Sequence, residues 1–239
     1  MVNFHPSDNE LIEFSAGNTD WALSICISSH IERCPTCARK LRSFNKIGGA
    51  TLSKCTHAPL SNDCFSNVLN KIKQNETEDH LQKGNTSPLA PTLSSVEKPK
   101  DQSKYSGHML DDLPRVIQKL MPVNKRLHWK RIAPALHEAQ ITTGQDKYEV
   151  CFHKIKRGGK IAEHDHGGKE VTLVLRGSFS DEYGTYQAGD YLVREAGQTH
   201  RPLAAQNQDC LCLSVIEAPV KLTGLTGKLI NPFLSFKPA

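Results

Sequence analysis

Apolar residues recur at helical spacing through the first seventy or so positions and at alternating, strand-like spacing from about residue 128 onward. The first predicted helix opens on Ser7-Asp8-Asn9-Glu10, a Ser-x-x-Glu capping box in which each end satisfies the other's free amide. Leu11, Ile12 and Phe14 form its apolar side, and Gly17 ends it. Thr19-Asp20 is placed to cap a second helix through Trp21, Leu23, Ile25, Ile27 and Ile31, a set too densely apolar for an exposed face, so this helix is expected to be buried. Pro35 removes an amide and biases Cys34 away from α geometry. The second helix should therefore stop near Arg33, and a third should begin at Pro35 and end at Gly48-Gly49. A weaker fourth, over residues 63–73, carries Phe65, Val68, Leu69 and Ile72 at helical spacing.

Residues 74–107 are polar, with Gly84-Asn85-Thr86-Ser87-Pro88, Pro91 and Pro99 and almost nothing to bury, which predicts a linker. A short helix is expected over 110–120, stopped by Pro122. Beyond it come strand-like runs such as Tyr148-Glu149-Val150-Cys151-Phe152, Val171-Thr172-Leu173-Val174-Leu175 and Cys210-Leu211-Cys212-Leu213-Ser214-Val215-Ile216, separated by glycine turns. The expected fold class is multidomain α and β: a small helical domain over 1–75, a flexible linker over 76–107, and an all-β jelly-roll barrel within 108–239, its core at about 128–220. There is no internal repeat.

Composition narrows the function classes. The 239 residues are 38% hydrophobic and 23% charged, which excludes a wholly disordered chain. A net charge of +5 is spread thinly, with eleven basic and ten acidic residues in the first hundred, so there is no polybasic arm and no simple electrostatic case for direct nucleic-acid binding. No run of eighteen apolar residues predicts a membrane span, and the first residues lack the basic-then-apolar order of a secretory signal. A cytoplasmic protein is expected. Five of the eight cysteines (Cys26, Cys34, Cys37, Cys55, Cys64) lie in the first 64 residues, and in a reducing compartment such clusters bind metal more often than they form disulfides.

The His30-x3-Cys34-x2-Cys37 spacing is the sharpest local signal in the first half. A Cys-x2-Cys pair at a helix start can direct both sulfurs to one ion, and His30 stands one turn before Cys34. Cys37, in the first turn of the third helix, is expected to favour the thiolate. A closed tetrahedral zinc site needs a fourth ligand, for which the chain offers His5, Cys26, Cys55, His57 and Cys64. His5 is preferred because it precedes a capped helix able to pack across the 30–37 turn and staple three helices together.

In the second half, His164-x-His166-x3-Glu170 is followed by His200. Residues two apart on a strand point the same way, so His164 and His166 face one interior point; Glu170 returns across the Gly167-Gly168 turn, and His200 lies on a further strand. Three imidazoles and a carboxylate suit zinc or another divalent transition metal. Cys210 and Cys212 face one side of a strand and form a candidate redox pair, which Cys151 could join, against the simpler reading that they are core. His128, His137 and His153 have no partner at ligand spacing, and Lys154 belongs to a charged, solvated strand end.

Residues 1–75 resemble the zinc-binding anti-sigma domain of ChrR-like anti-sigma factors, through His5-Pro6-Ser7, the His30, Cys34 and Cys37 spacing, and Gly48-Gly49. The resemblance carries four zinc ligands onto His5, His30, Cys34 and Cys37. Residues 128–220 resemble the cupin family: Gly158-x5-His164-x-His166-x3-Glu170-x6-Gly177 matches its first motif, and Gly189-x5-Glu195-x-Gly197-x2-His200 most of its second. Glu195 stands where a proline is usual and Ala204 where an asparagine is usual, which touches turn rigidity and pocket wall rather than ligands. The resemblance implies a regulator, not an enzyme. In it the helices bind a group IV (ECF-type) sigma factor and block its binding to core RNA polymerase. The cupin would respond at its metal to an oxidant such as singlet oxygen or an organic peroxide. A homodimer paired through sheet edges is a further expectation. The rivals are a metal-dependent cupin dioxygenase or isomerase acting on a small molecule, and a DNA-binding regulator, against which the near-neutral first half weighs.

Overall fold

A computed structural model describes residues 2–56, 59–82, 112–121 and 127–223, with side chains of 75–82 left aside. Among the described residues five helices come first: α1 (Asp8–Ala16), α2 (Trp21–Arg33), α3 (Pro35–Ser53), α4 (Cys64–Gln82) and α5 (Arg115–Leu120). Eleven strands follow: β1 (Lys130–Ala133), β2 (Leu136–Gln140), β3 (Glu149–Ile155), β4 (His164–His166), β5 (Glu170–Arg176), β6 (Ser178–Asp181), β7 (Gly184–Gln187), β8 (Tyr191–Arg194), β9 (Leu203–Ala204), β10 (Cys210–Ile216) and β11 (Val220–Leu222). Helices followed by an all-β barrel is the architecture that the periodicity predicts. Among the described residues no helix is long and apolar enough to cross a membrane.

The chain divides into two compact units, Met1–Ala50 with Ser106–Ala239, and Thr51–Tyr105. The first three helices up to Ala50 therefore pack with the barrel, a grouping different from the expected break between residues 75 and 108. The physical reason is α2. Its buried face, Ala22, Ile25, Cys26 and Ile27, joins Val150, Phe152, Leu173, Leu211, Leu213 and Val215 in one apolar cluster. These barrel residues alternate along β3, β5 and β10 and so share one face of the sheet, on which α2 packs over β10, β5 and β8. At about 1.5–3 kcal/mol per buried large side chain, this face is a principal source of the unit's stability.

That six-stranded sheet runs β1-β2-β3-β10-β5-β8, every neighbour antiparallel. A three-stranded sheet, β7-β6-β9, lies against its other face, and β11-β4 forms a separate pair. Between the two larger sheets sits a second apolar cluster of Ile155, Val174, Phe179, Tyr186, Leu192 and Ala204 with Cys210 and Cys212. The residues of β3, β5 and β10 that do not face α2 line this interior.

The helix boundaries follow local chemistry. Ser7 Oγ accepts the Glu10 amide while Glu10 Oε2 accepts the Ser7 amide at 2.9 Å, closing the capping box, and Gly17 ends α1 at φ 76°. Asp20 occupies the cap position of α2 but makes no capping bond; its carboxylate instead takes Lys147 Nζ and the Tyr148 hydroxyl, each at 2.8 Å. α3 runs through Gly48-Gly49 to Ser53, past the expected end, because neither glycine adopts a positive φ and each costs a helix interior only about 1 kcal/mol. α4 continues past residue 73 to Gln82, since no proline or glycine interrupts 74–82. Residues 83–111, most of the expected linker, and Pro122 lie outside the described residues. Trp21 is half exposed, whereas Phe44 packs on the apolar cluster. Lys154 is buried and ion-paired with Asp209 at 3.2 Å, not solvated as its charge run suggests.

Candidate metal centres

His5, His30, Cys34 and Cys37 converge, their ligand atoms within 4.8 Å of one another. The chain places them as the spacing predicts: His30 in the last turn of α2, Cys34 at its cap with extended backbone, and Cys37 in the first turn of α3. His5 Nδ1 lies 3.4 Å from His30 Nε2, 3.4 Å from Cys34 Sγ and 3.5 Å from Cys37 Sγ. Two ligands of one tetrahedral zinc, at bond lengths of about 2.0–2.3 Å, stand roughly 3.3–3.7 Å apart, so the four donors fit such an ion. His30 Nδ1 donates to the Gly189 carbonyl at 2.8 Å, which fixes the tautomer that leaves Nε2 free to bind metal. Burial lowers the His30 pKa and keeps the ring neutral. The Cys37 thiol does not follow the helix-dipole expectation: burial, with Cys34 beside it, pushes it up to about 12. A divalent cation reverses that balance. Cys26 is buried in the α2 face, Cys55 is exposed, Cys64 begins α4, and His57 lies outside the described residues.

A second convergence, His164, His166 and His200, is buried inside the barrel. β4 carries the first two with their rings 5.2 Å apart, and an isolated bridge pairs His164 with His200. His164 Nδ1 faces the Ala162 carbonyl and His200 Nδ1 faces the Asp181 carboxylate, both at 2.9 Å. Each acceptor lacks a proton to give, so each Nδ1 carries the hydrogen of its neutral ring. The two Nε2 lone pairs then meet at 2.9 Å, an arrangement stable only with positive charge between them. His166 Nε2, buried and without a hydrogen-bond partner, supplies a third donor. Three such nitrogens fit a divalent transition metal better than a shared proton.

Glu170 is not within this convergent trio. Its Oε2 sits 2.9 Å from His166 Nδ1 and its Oε1 accepts the Thr172 hydroxyl at 2.8 Å. Burial works against the charge of Glu170, yet the His166 ring holds its carboxyl well below the usual range. Asp181, which the sequence does not single out, is the outer support of the site. It takes His200, Arg194 at 2.9 Å, the Tyr186 hydroxyl at 2.8 Å and the Tyr183 amide at 2.8 Å. Despite burial, these donors keep it well below the usual carboxylate range. Nineteen residues separate it from His200, so no local spacing betrays it.

Cys210 and Cys212 face the interior as expected, their sulfurs 3.7 Å apart, packed in the apolar cluster between the sheets. Cys151 does not join them. It lies 3.4 Å from His153 Nε2, so His153, apparently partnerless in sequence, has a partner after all.

Comparison with known proteins finds likeness over the barrel and over nearly the whole chain. The ChrR cupin-like domain matches residues 119–219. The chain is 25% identical over 232 residues to the Anti-sigma-E factor ChrR of Cereibacter sphaeroides, covering 97% of this chain and 98% of that protein. In fold it is similar to the anti-sigma ChrR solved in complex with SigE of Rhodobacter sphaeroides, with a TM-score of 0.63, 22% identity, and coverage of 90% of this chain and 99% of that one. Residues 119–219 thus match the ChrR cupin-like domain, and along nearly its whole length the chain resembles the ChrR-like anti-sigma factors.

Proposed function

We propose that this protein is a cytoplasmic, zinc-dependent anti-sigma factor that holds an ECF-type sigma factor inactive and releases it when the barrel metal meets an oxidant such as singlet oxygen or an organic peroxide. It is a regulator and not an enzyme. The carrying observation is α4: Phe65, Val68, Leu69 and Ile72, at i, i+3, i+4 and i+7, form one apolar stripe, and all four are exposed, Phe65 by 73%. A stripe of that period fits the groove of a helical partner. The relative named above is an anti-sigma factor, and the similar fold was solved with its sigma factor bound. Those two likenesses support a sigma factor as the partner.

In this reading His5, His30, Cys34 and Cys37 hold a structural zinc that fixes the start of α1 and the α2–α3 turn. His164, His166 and His200 hold a zinc or another divalent transition metal, which supplies a site for reaction with the oxidant, and Glu170 stands outside the trio with its carboxylate against the His166 ring. Asp181 orients His200 and keeps its Nε2 directed inward. Cys210 and Cys212 are a dithiol at contact distance that oxidation can convert to a disulfide.

The test is co-purification of the full chain with the ECF-type sigma factors of its source organism, with and without a zinc chelator. The expected result is a stoichiometric complex that the chelator dissolves and that Leu69→Asp abolishes while the variant stays folded. A folded, zinc-loaded chain that retains no sigma factor overturns the proposal.

A further inference from the structure

The barrel interior holds another meeting of metal-ligating side chains, apart from the three imidazoles. Glu138 on β2 and Cys151 and His153 on β3 bring one ligand atom each to within 4.8 Å of one another. Strand register puts them there: Glu138 pairs with His153 across β2 and β3, and Cys151 is two residues from His153 on the same face. Cys151 Sγ is 3.4 Å from His153 Nε2, and Glu138 Oε2 is 3.5 Å from that same nitrogen. The other ring nitrogen, Nδ1, lies 3.0 Å from Ser214 Oγ.

A cysteine, a histidine and a glutamate admit two chemistries, and the geometry separates them. In a nucleophile relay the thiol sits on one imidazole nitrogen and the carboxylate on the other, so that the acid orients the base. Here thiol and carboxylate crowd the same nitrogen, and a hydroxyl holds the opposite one. That is the arrangement of a metal-ligating imidazole, with its ligand nitrogen among the other donors and its second nitrogen fixed by an outer partner. The lengths agree. An N–O distance of 3.5 Å is beyond an ordinary hydrogen bond of about 2.7–3.2 Å. It matches instead the ligand separations of the cluster around His5, which are 3.4–3.5 Å.

We infer that Glu138, Cys151 and His153 form a further divalent-metal site of the zinc class, with three protein ligands and an open fourth position. Nitrogen, sulfur and oxygen donors together suit zinc, and cobalt in its place. Cys151 is fully buried, while the side chains of His153 and Glu138 are 20% and 26% exposed, which leaves a path from solvent. Binding expels the Cys151 thiol proton to water. The site is wired to the imidazole trio: Ser214 Oγ meets Thr172 Oγ1 at 3.3 Å, and Thr172 donates to Glu170, which abuts His166.

The experiment loads the purified full chain with Co(II) and compares it with Cys151→Ser and Glu138→Gln, neither of which touches the four-ligand cluster or the imidazole trio. The wild-type protein is expected to bind one equivalent more than Cys151→Ser. Three ligand thiolates become two in that variant, so about a third of the thiolate-to-cobalt absorption should disappear. Glu138→Gln keeps the thiol and is expected to weaken that equivalent at least tenfold. Equal stoichiometry and absorption in wild type and folded variants overturn the inference; should Cys151→Ser fail to fold by circular dichroism, an unaltered Glu138→Gln titration overturns it alone. Neither readout depends on sigma binding, so this inference and the proposed function fail separately.

Discussion

Asp181 carries more polar contacts than any ligand it supports, and its role is argued from one of them. Its carboxylate on His200 Nδ1 fixes the tautomer that aims Nε2 at His164. Asp181→Asn preserves the shape but can present an amide N–H where an acceptor is needed. The expected outcome is a 10–100-fold loss of metal affinity in the barrel, measured by competition with a chelator, with the four-ligand cluster unaffected. The candidate metal ligands themselves are legible in sequence wherever they lie two to four residues apart, because strand and helix periodicity turns spacing into direction. Asp181 and Glu138 are not legible, since each meets its histidine only after two separate strands have paired. The reactivity of Cys37 also escapes, because burial outweighs the helix start that a linear reading weighs.

Elements were easier to foresee than their ends. The capping box, the Pro35 break and the density of α2 each act within a few residues, and the structure has all three. The ends of α3 and α4 run longer because glycine pairs and polar runs only tax a helix by about 1 kcal/mol per residue, without forbidding it. What no pattern states is the partner of a buried face. α2 buries its stripe on the barrel sheet, whereas α4 leaves its own exposed. The two helices should therefore respond differently to truncation. Ile27→Ala, at a site 1% exposed, is expected to destabilise the protein by about 2–5 kcal/mol in denaturant unfolding. Leu69→Asp should stay within about 0.5 kcal/mol of the parent.

Across the whole first unit, the opening residues and α1 are fastened to the barrel by more than α2. Asp190 Oδ1 accepts the amides of Asn3 at 2.7 Å and Phe4 at 3.1 Å, the Phe4 ring meets Tyr186 edge-on, and the Phe4 carbonyl accepts the Tyr191 amide. Glu10 adds an acidic fastening, with Tyr191 donating its hydroxyl at 3.2 Å and Lys169 lying at 3.3 Å. Burial would raise the Glu10 pKa, but Ser7 and Lys169 hold it below the ordinary value. A carboxylate depressed in the folded state stabilises fully above its unfolded pKa and loses that contribution as pH falls through the folded one. Glu10→Gln should therefore lower stability by about 1 kcal/mol at neutral pH, and the difference from wild type should vanish on acidification, as thermal unfolding across a pH series would show. An expectation of separate domains on a linker fails to foresee this fastening because its bonds join residues more than 150 apart in the chain.

The bond from His30 to the Gly189 carbonyl has a consequence of its own. Gly189 turns with φ 99°, and a Cβ there would stand 2.7 Å from Val2, so the turn, the first residues and the histidine occupy one crowded point. The ring that would bind metal on one edge is held by the barrel on the other. Two equilibria that share a ring in this way are reciprocal: a barrel movement that weakens metal binding tenfold is, by the same factor, a movement that the bound metal resists. A metal held by His5, His30, Cys34 and Cys37 would then be less a rivet within the helices than a clasp whose grip reports the state of the barrel.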